Sequence, residues 1–312
     1  MHLVDRIGRR LKLRDLHTLM IVVRSGTMAR AAQQLAVSQP VVSKTISDLE
    51  HTLGVPLLDR SRNGVEPTLY GRALLKHGVT VFDELRQSVE EIRFLSDPTV
   101  GELRIGCTDP MAAGLLPSII SRLHRQYPKL VFHATQASSG PALYRELRER
   151  NVELILGRTT VPLAEPDLAV ELLMDEPLVL VAGRQSQWQR RRKIELADLI
   201  NEPWILPVPD TAASAIIMDT FQACGLEPPQ GAVLTTSLQM HSILLASGPY
   251  LAMWPSSVTR LGARNLSVKV LPVKLPVIRR PVGIITLKGR TNSPLVELFI
   301  DCARKAAKQL EG

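Results

Sequence analysis

The chain has 312 residues, of which 45% are hydrophobic, and carries a formal net charge of +8. At roughly 100–200 residues per domain that length predicts two or three folding units, and the apolar content excludes a disordered tail. No apolar run approaches the ~18 residues of a membrane span, and charged residues at Met1–Arg6 stand where a signal peptide carries its apolar stretch; both features favour the cytoplasm with no membrane partner. Cys107, Cys224 and Cys302 are odd in number, far apart and without metal-ligand spacing, so reduced thiols are expected and no metal or cofactor is implied. A basic excess suits a polyanionic partner without proving one. Residues 1–64 hold ten basic and five acidic side chains, and Arg260–Arg290 holds eight bases and no acid. Arg190–Lys193 and Arg279-Arg280 form further basic clusters.

In chain order, Leu16, Leu19, Met20 and Val23 fall at helical spacing until Ser25-Gly26 breaks the pattern. Thr27 is a good N-cap for a short second helix through Ala31, Ala32 and Leu35. Ser38 caps a third helix with Pro40 in its first turn, where the missing N–H costs little. That helix buries Val42, Ile46, Leu49 and Leu53 and shows Gln39, Ser43, Lys44 and Ser47 on its opposite face; Gly54 ends it. Two helices joined by a short turn, the second presenting small polar and basic residues, describe a helix-turn-helix. Gln, Ser and Lys on such a helix can reach base edges in the major groove while nearby Arg and Lys hold phosphates. Periodicity alone leaves an ordinary three-helix bundle with a polar outer face equally open.

Two short extended runs flank Ser61-Arg62-Asn63-Gly64, a hairpin signal that makes a wing, with Arg60 and Arg62 placed against phosphate or the minor groove. From Thr68 to about Ser96 one long helix carries Leu75, Phe82, Leu85, Val89 and Ile92 at heptad spacing, with Gly78 the gap in the stripe. This predicts a short coiled-coil seam and a homodimer; the alternative is a helix packed on its own domain.

Beyond the linker Asp97–Gly101 the texture becomes alternating strands and helices. Strands are expected at 103–106, 131–136 and 152–157, with helices at 115–127 and 138–150, and the same grammar continues through 177–182, 204–207, 213–224, 237–245 and 251–255. Repeated βα units predict a largely parallel sheet with ligand loops at the carboxyl ends of the strands. No Gly-rich phosphate loop, nucleophile elbow or His/Glu metal cluster is present. Cys107 and Asp109 are the only candidates for catalysis, with no histidine near them in sequence, so no enzyme is expected.

The stretch Ala31-Ala32-Gln33-Gln34-Leu35-Ala36-Val37-Ser38-Gln39-Pro40-Val41-Val42-Ser43-Lys44 resembles the helix-turn-helix of LysR-type transcriptional regulators. Ile46–Glu50, Leu53–Arg60 and Pro67–Gly71 follow the same pattern, and Gly101–Gly106, Leu115-Leu116-Pro117 and Tyr127-Pro128 resemble the family's effector-binding region. Within the family the chain resembles the galactose-binding-protein regulator group. The resemblance implies an α/β fold with an N-terminal winged helix-turn-helix (1–67), a dimerising linker helix (68–98) and a periplasmic-binding-protein-like effector module (99–312). Subdomain I is expected at about 99–170 and 273–312 and subdomain II at about 171–272, with crossovers near Gly157–Thr160 and Pro272-Val273. It further implies a homotetramer that regulates transcription at double-stranded promoter DNA, responds to a small-molecule effector and works with RNA polymerase.

Carried over, the base-reading positions are Gln39, Pro40, Ser43 and Lys44, with Thr27, Arg30, Ser38, Arg60 and Arg62 at the DNA backbone. The effector cleft would be lined by Cys107, Thr108, Asp109 and Pro110, by Ser138 and Ser139, by Arg158 at the hinge, and by Pro209, Asp210 and Thr211. Pro110 stands where the family often has Ser or Thr, and Asp109 puts a negative charge at the mouth. These departures favour a sugar-like effector over a small organic acid. Pro249 and Trp254 interrupt a run that is commonly Gly-rich and aliphatic. A small-molecule carrier, or an enzyme on the same fold, is the alternative reading, and neither explains a basic helix-turn-helix with a coiled-coil seam.

Overall fold

The computed structural model describes residues 11–61, 64–137, 139–159, 163–183, 186–261, 268–276, 278 and 281–311. Arg62, Asn63, Ser138, Thr160 and Arg279-Arg280 lie outside the described residues. The chain divides into two compact units, residues 1–89 and 90–312.

In the first unit α1 (Leu13–Ser25), α2 (Met28–Gln34) and α3 (Gln39–Leu53) enclose one core of Leu19, Val22, Ala31, Val42, Ile46 and Leu49. Each such side chain contributes about 1.5–3 kcal/mol when fully buried. Gly26 ends α1 at φ 71° and Gly54 ends α3 at φ 73°, the left-handed caps that glycine takes without a Cβ penalty. Thr27 caps α2: its Oγ1 accepts from Arg30 N at 3.2 Å. The turn into α3 passes through Ala36 at φ 54°, and Val37 N donates to Ala32 O at 3.0 Å.

Glu50, on α3, accepts from Leu57 N at 2.8 Å and Leu58 N at 3.2 Å, so α3 itself fixes the start of the wing. The wing is β1 (Leu58–Ser61) antiparallel to β2 (Gly64–Pro67), with Ser61 opposite Gly64. Val65 N donates to Gly26 O at 2.9 Å. Gly64, at φ 131°, comes so close to the same carbonyl that a Cβ would stand 2.7 Å from it.

The long helix α4 (Leu69–Ser96) follows. Gly78 sits over Leu16, whose Cδ1 would lie 3.0 Å from a Cβ there, so the gap in the apolar stripe is where α1 fits. The stripe therefore divides. Leu75 packs on the first unit's core and Phe82 on the His17 ring at 5.6 Å, whereas Val81, Leu85, Val89, Ile92 and Leu95 are 40–73% exposed.

The second unit holds two five-stranded sheets. The first has the order β4 (Lys129–Gln136), β3 (Val100–Cys107), β5 (Leu154–Arg158), β12 (Pro281–Leu287), β6 (Leu168–Asp175); the second has β11 (Val268–Val270), β7 (Leu178–Gly183), β10 (Leu251–Pro255), β8 (Trp204–Leu206), β9 (Gly231–Leu234). Both sheets are mixed, not simply parallel: β12 runs against β5 and β6, and β7 against β10 and β11. These reversed strands are the first that the chain lays down after each passage between sheets. The first passage is at Glu176-Pro177. The turn at Gly157–Thr159, read as a crossover from sequence, leads instead to another strand of the same sheet, β6.

The short α5 (Asp109–Ala113) leads into α6 (Leu115–Gln126), which packs with α11 (Pro294–Glu311) on the first sheet through Leu115, Ile119, Val296, Phe299 and Ala303. On the other face α7 (Gly140–Arg148) adds Leu143 and Leu147. On the second sheet α8 (Ala212–Ala223) buries Ile217 and Phe221 beside Trp204, and α9 (Leu238–Ser247) buries Leu238 and Leu245 beside Trp254. α10 (Ser256–Leu261) follows β10 directly.

Candidate nucleic-acid interface and candidate effector cleft

Packing of Val42, Ile46 and Leu49 into the first unit turns the other side of α3 outward. Gln39, Pro40, Lys44 and Ser47 are exposed, and Ser43 is half-buried. Thr27, Met28, Ala29, Gln39, Ser43, Arg60, Ser61, Gly64 and Val65 line one depression of about 410 Å³ between α2, α3 and the wing. The structure thus gathers Thr27, Gln39, Ser43 and Arg60 around one surface, with Lys44 one residue further along α3. Arg30 is exposed on α2. Ser38 occupies the N-cap position of α3 through its backbone, but its side chain makes no cap bond, unlike the cap expected from sequence. Thr27 spends one lone pair as the cap of α2 and keeps its proton to donate. Arg60 lies 3.6 Å from Glu50 with 45% of its side chain exposed, close enough to be oriented and open enough to meet a phosphate.

In the second unit the loop after β3 does not place all its side chains alike. Cys107 is fully buried among Leu103, Ile105 and Met111, which corrects its assignment to the cleft wall. Burial, and secondarily Asp109, push its thiol up to about 11. Thr108, half-buried, holds the N-cap position of α5 without a side-chain cap bond, and Pro110 sits in that helix's first turn. Asp109 is not free at the mouth: its Oδ2 accepts from Leu238 N at 2.6 Å and its Oδ1 from Gln136 Nε2 at 3.3 Å.

Ser139 Oγ caps α7, accepting from Ala142 N at 3.4 Å. Thr211 caps α8, accepting from Ser214 N at 3.1 Å while donating to Val208 O at 2.8 Å, and Asp210 before it takes φ 61°. Arg158, at the end of β5, reaches Glu176 at 3.0 Å, with side-chain exposures of 15% and 0%. Burial lowers the Arg158 pKa and the Glu176 charge raises it. The second Glu176 oxygen accepts from Ser257 N at 3.1 Å, so this pair ties β5 to the passage between sheets and to α10. Arg158 is thus held in an ion pair that ties β5 to the passage between sheets.

Residues that sequence reasoning missed stand around Asp109. Gln136 ends β4. His241 on α9 is buried; its Nδ1 accepts from Trp254 Nε1 at 3.0 Å and its Nε2 donates to Thr235 O at 3.2 Å, which fixes the neutral tautomer. Burial lowers its pKa, against a smaller opposing effect of that backbone bond. The Trp254 expected to alter the cleft wall is thus a core residue. Gln136 and Glu176 carried no sequence signal beyond their positions at strand ends. Among the described residues no group of three or more His, Cys, Asp or Glu could hold a metal ion, and no helix is long and apolar enough to cross a membrane.

Two family models match the chain: "Bacterial regulatory helix-turn-helix protein, lysR family" over residues 13–72 and "LysR substrate binding domain" over residues 96–308. The chain belongs to the LysR-type transcriptional regulator family. It is therefore a DNA-binding transcriptional regulator with an effector-binding domain, not an enzyme. It is 29% identical over 299 residues (96% of this chain, 97% of the relative) to the uncharacterized HTH-type transcriptional regulator YdcI of Escherichia coli strain K12. It is 27% identical over 299 residues (96% and 87%) to the HTH-type transcriptional regulator GbpR of Azospirillum brasilense. A full-length OxyR variant from Pseudomonas aeruginosa shares the fold with a TM-score of 0.67 at 23% identity, covering 94% of this chain and 95% of that one. Similarity to GbpR does not exceed similarity to YdcI, so the family, and no narrower group within it, is what these relatives show.

Proposed function

We propose that this regulator reads promoter DNA in the cytoplasm through the depression between α3 and the wing. Gln39, Pro40, Ser43 and Lys44 face base edges, while Thr27, Arg30, Ser38, Arg60 and Arg62 hold phosphates. The observation that carries the reading is the convergence of Thr27, Gln39, Ser43 and Arg60 on one solvent-open surface from three separate elements. The exposed α4 stripe Val81, Leu85, Val89, Ile92 and Leu95 is the dimer seam, covered by the same stripe of a second copy. Two such dimers form a tetramer that spans paired half-sites and presents a surface to RNA polymerase.

The effector module responds to a small molecule held between its two sheets, near Thr108, Asp109, Pro110, Ser138, Ser139 and the α8 turn at Asp210-Thr211. The chain divides into 1–67 for DNA binding, 68–98 for the linker helix and 99–312 for effector binding, with the first passage between sheets at Glu176-Pro177. Footprinting on the DNA upstream of the chain's own gene, with and without candidate metabolites, tests the proposal. A protected region with dyad symmetry that shifts with one metabolite supports it. Uniform coating of any DNA refutes it.

A further inference from the structure

Where α10, which follows the second sheet, meets α6 and α11 on the first, the three helices leave a groove of about 550 Å³. α6 lines it with Ser121, Arg122 and Arg125, α11 with Gln309 and Leu310, and α10 with Leu261. None of its lining residues is acidic, and none belongs to the cleft. Arg122 Nη2 donates to Gln309 Oε1 at 2.9 Å and Arg125 Nε to Ser121 O at 3.2 Å, while Arg260, beside Leu261 at the rim, donates to Leu310 O. All three acceptors are neutral. In the same unit Arg104, Arg148, Arg158 and Arg304 each meet a carboxylate. Burial raises the pKa of the neighbouring Cys302, and the charges of Arg122 and Lys305 oppose it, so both cations stand close to the contact between α6 and α11.

A guanidinium at a helix C-terminus favours the dipole, and Arg125 and Arg260 serve the ends of α6 and α11 in this way. That role takes one of the five N–H donors of each. The bond to Gln309 likewise holds Arg122 across the groove, with its other donors oriented before any ligand arrives. Guanidinium forks match phosphate, and a phosphate ester brings about −1.5 to −2 charge and three acceptor oxygens. The volume falls within the roughly 300–1,000 Å³ of small-molecule sites, and Leu261, Ala306 and Leu310 add an apolar wall beside the cations.

We propose that this groove binds a small phosphate ester, with Arg122, Arg125 and Arg260 holding the phosphate and the apolar wall meeting its organic part. Bound there, the ester joins helices of both sheets, a position from which it favours one arrangement of the sheets over another.

The test follows thermal unfolding of the full chain by tryptophan fluorescence, which reports this unit because Trp188, Trp204 and Trp254 all lie in it. Sodium glycerol 3-phosphate, sodium phosphate and sodium acetate are compared with sodium chloride at equal ionic strength. Glycerol 3-phosphate should raise the wild-type Tm along a saturating curve. Phosphate should do so with a higher midpoint, and acetate should do no more than chloride. Arg122→Ala and Arg125→Ala should each raise the ester midpoint by about tenfold or more, as for loss of a hydrogen bond to a charged group. Arg191→Ala, in an exposed basic run away from the groove, should leave it unchanged. Arg125 is exposed, so its variant decides if Arg122→Ala does not fold. No saturating rise with the ester, an equal response to acetate, or an equal loss in Arg191→Ala overturns the proposal. Equal midpoints for phosphate and its ester make free phosphate the ligand and overturn the ester. DNA phosphates are the rival occupant. A salt slope for binding a duplex from upstream of the chain's own gene that falls by about one in Arg125→Ala assigns the groove to DNA and overturns the proposal; an unchanged slope supports it.

Discussion

Replacing Arg158 by Ala should unfold more of the effector module than its position at a strand end suggests. The Glu176 side chain is 0% exposed, and its two oxygens face the Arg158 guanidinium at 3.0 Å and the Ser257 N–H at 3.1 Å. Truncating Arg158 leaves a buried carboxylate with one neutral donor and no compensating charge at that oxygen. Breaking a buried pair from one side costs about 3–5 kcal/mol, a large part of the roughly 5–15 kcal/mol that holds a typical domain folded. The net worth of the pair is smaller, because burial opposes the Arg158 charge and lowers its pKa. Arg158→Met combined with Glu176→Gln, which keeps an acceptor for Ser257 N–H, should therefore recover most of the loss. A coupling of about 1–3 kcal/mol between the two sites is expected. Urea unfolding followed by tryptophan fluorescence measures this, since Trp188, Trp204 and Trp254 all lie in or beside the second sheet and two of them are fully buried. A loss below about 1 kcal/mol for Arg158→Ala, or strict additivity in the double variant, would refute the reasoning.

Leu85→Glu should dissociate the proposed dimer and lower operator affinity while leaving the effector module's unfolding transition in place. Leu85, Val89 and Ile92 are 44%, 49% and 63% exposed in one chain, so each has about 1 kcal/mol of burial still to gain from a second copy; sedimentation velocity reads the outcome, and an intact dimer moves the interface elsewhere. Burial lowers the His241 pKa below its ordinary 6.5, so folding favours the neutral ring. The unfolded chain then binds the extra proton below about pH 6.5, so stability should fall as pH drops through that range and be flat above it. Denaturant midpoints from pH 5 to 8 check the sign, and His241→Gln should remove that part of the slope.

Much of the first unit was legible because its signals are local. Thr27, Gly26, Gly54 and Pro40 mark helix ends within a few residues of the contacts they make, and the buried faces of α1 and α3 repeat at helical spacing. The apolar stripe of α4 was only half legible. Leu75 and Phe82 share the period of Leu85 and Ile92, but Leu75 packs in the first unit's core and Phe82 on His17, contacts that no periodicity can show. In the second unit, β6, β9, β11 and β12 went unread, and so did α11, although Val296, Phe299, Ile300 and Ala303 repeat at helical spacing. Strands such as Val282–Ile285 are buried on both faces and so lack alternation. The passage between sheets was misplaced because Gly157–Thr159 looks like any strand end. What distinguishes Glu176-Pro177 is a carboxylate paired with Arg158, 18 residues earlier, and with Ser257, 81 residues later. Asp109 was read as a free charge for the same reason, its partner Leu238 being 129 residues away.

The central claim is that α3 reads sequence while the wing holds the backbone. Fluorescence anisotropy of the full chain on its operator and on a shuffled duplex, across a salt series, tests it with Gln39→Ala and Arg60→Ala. Gln39→Ala should weaken operator binding by about 1–3 kcal/mol and leave the shuffled duplex nearly unchanged. Arg60→Ala should weaken both duplexes alike and lower the salt slope by about one. Equal loss on both duplexes for Gln39→Ala, with no change in slope for Arg60→Ala, would contradict the account.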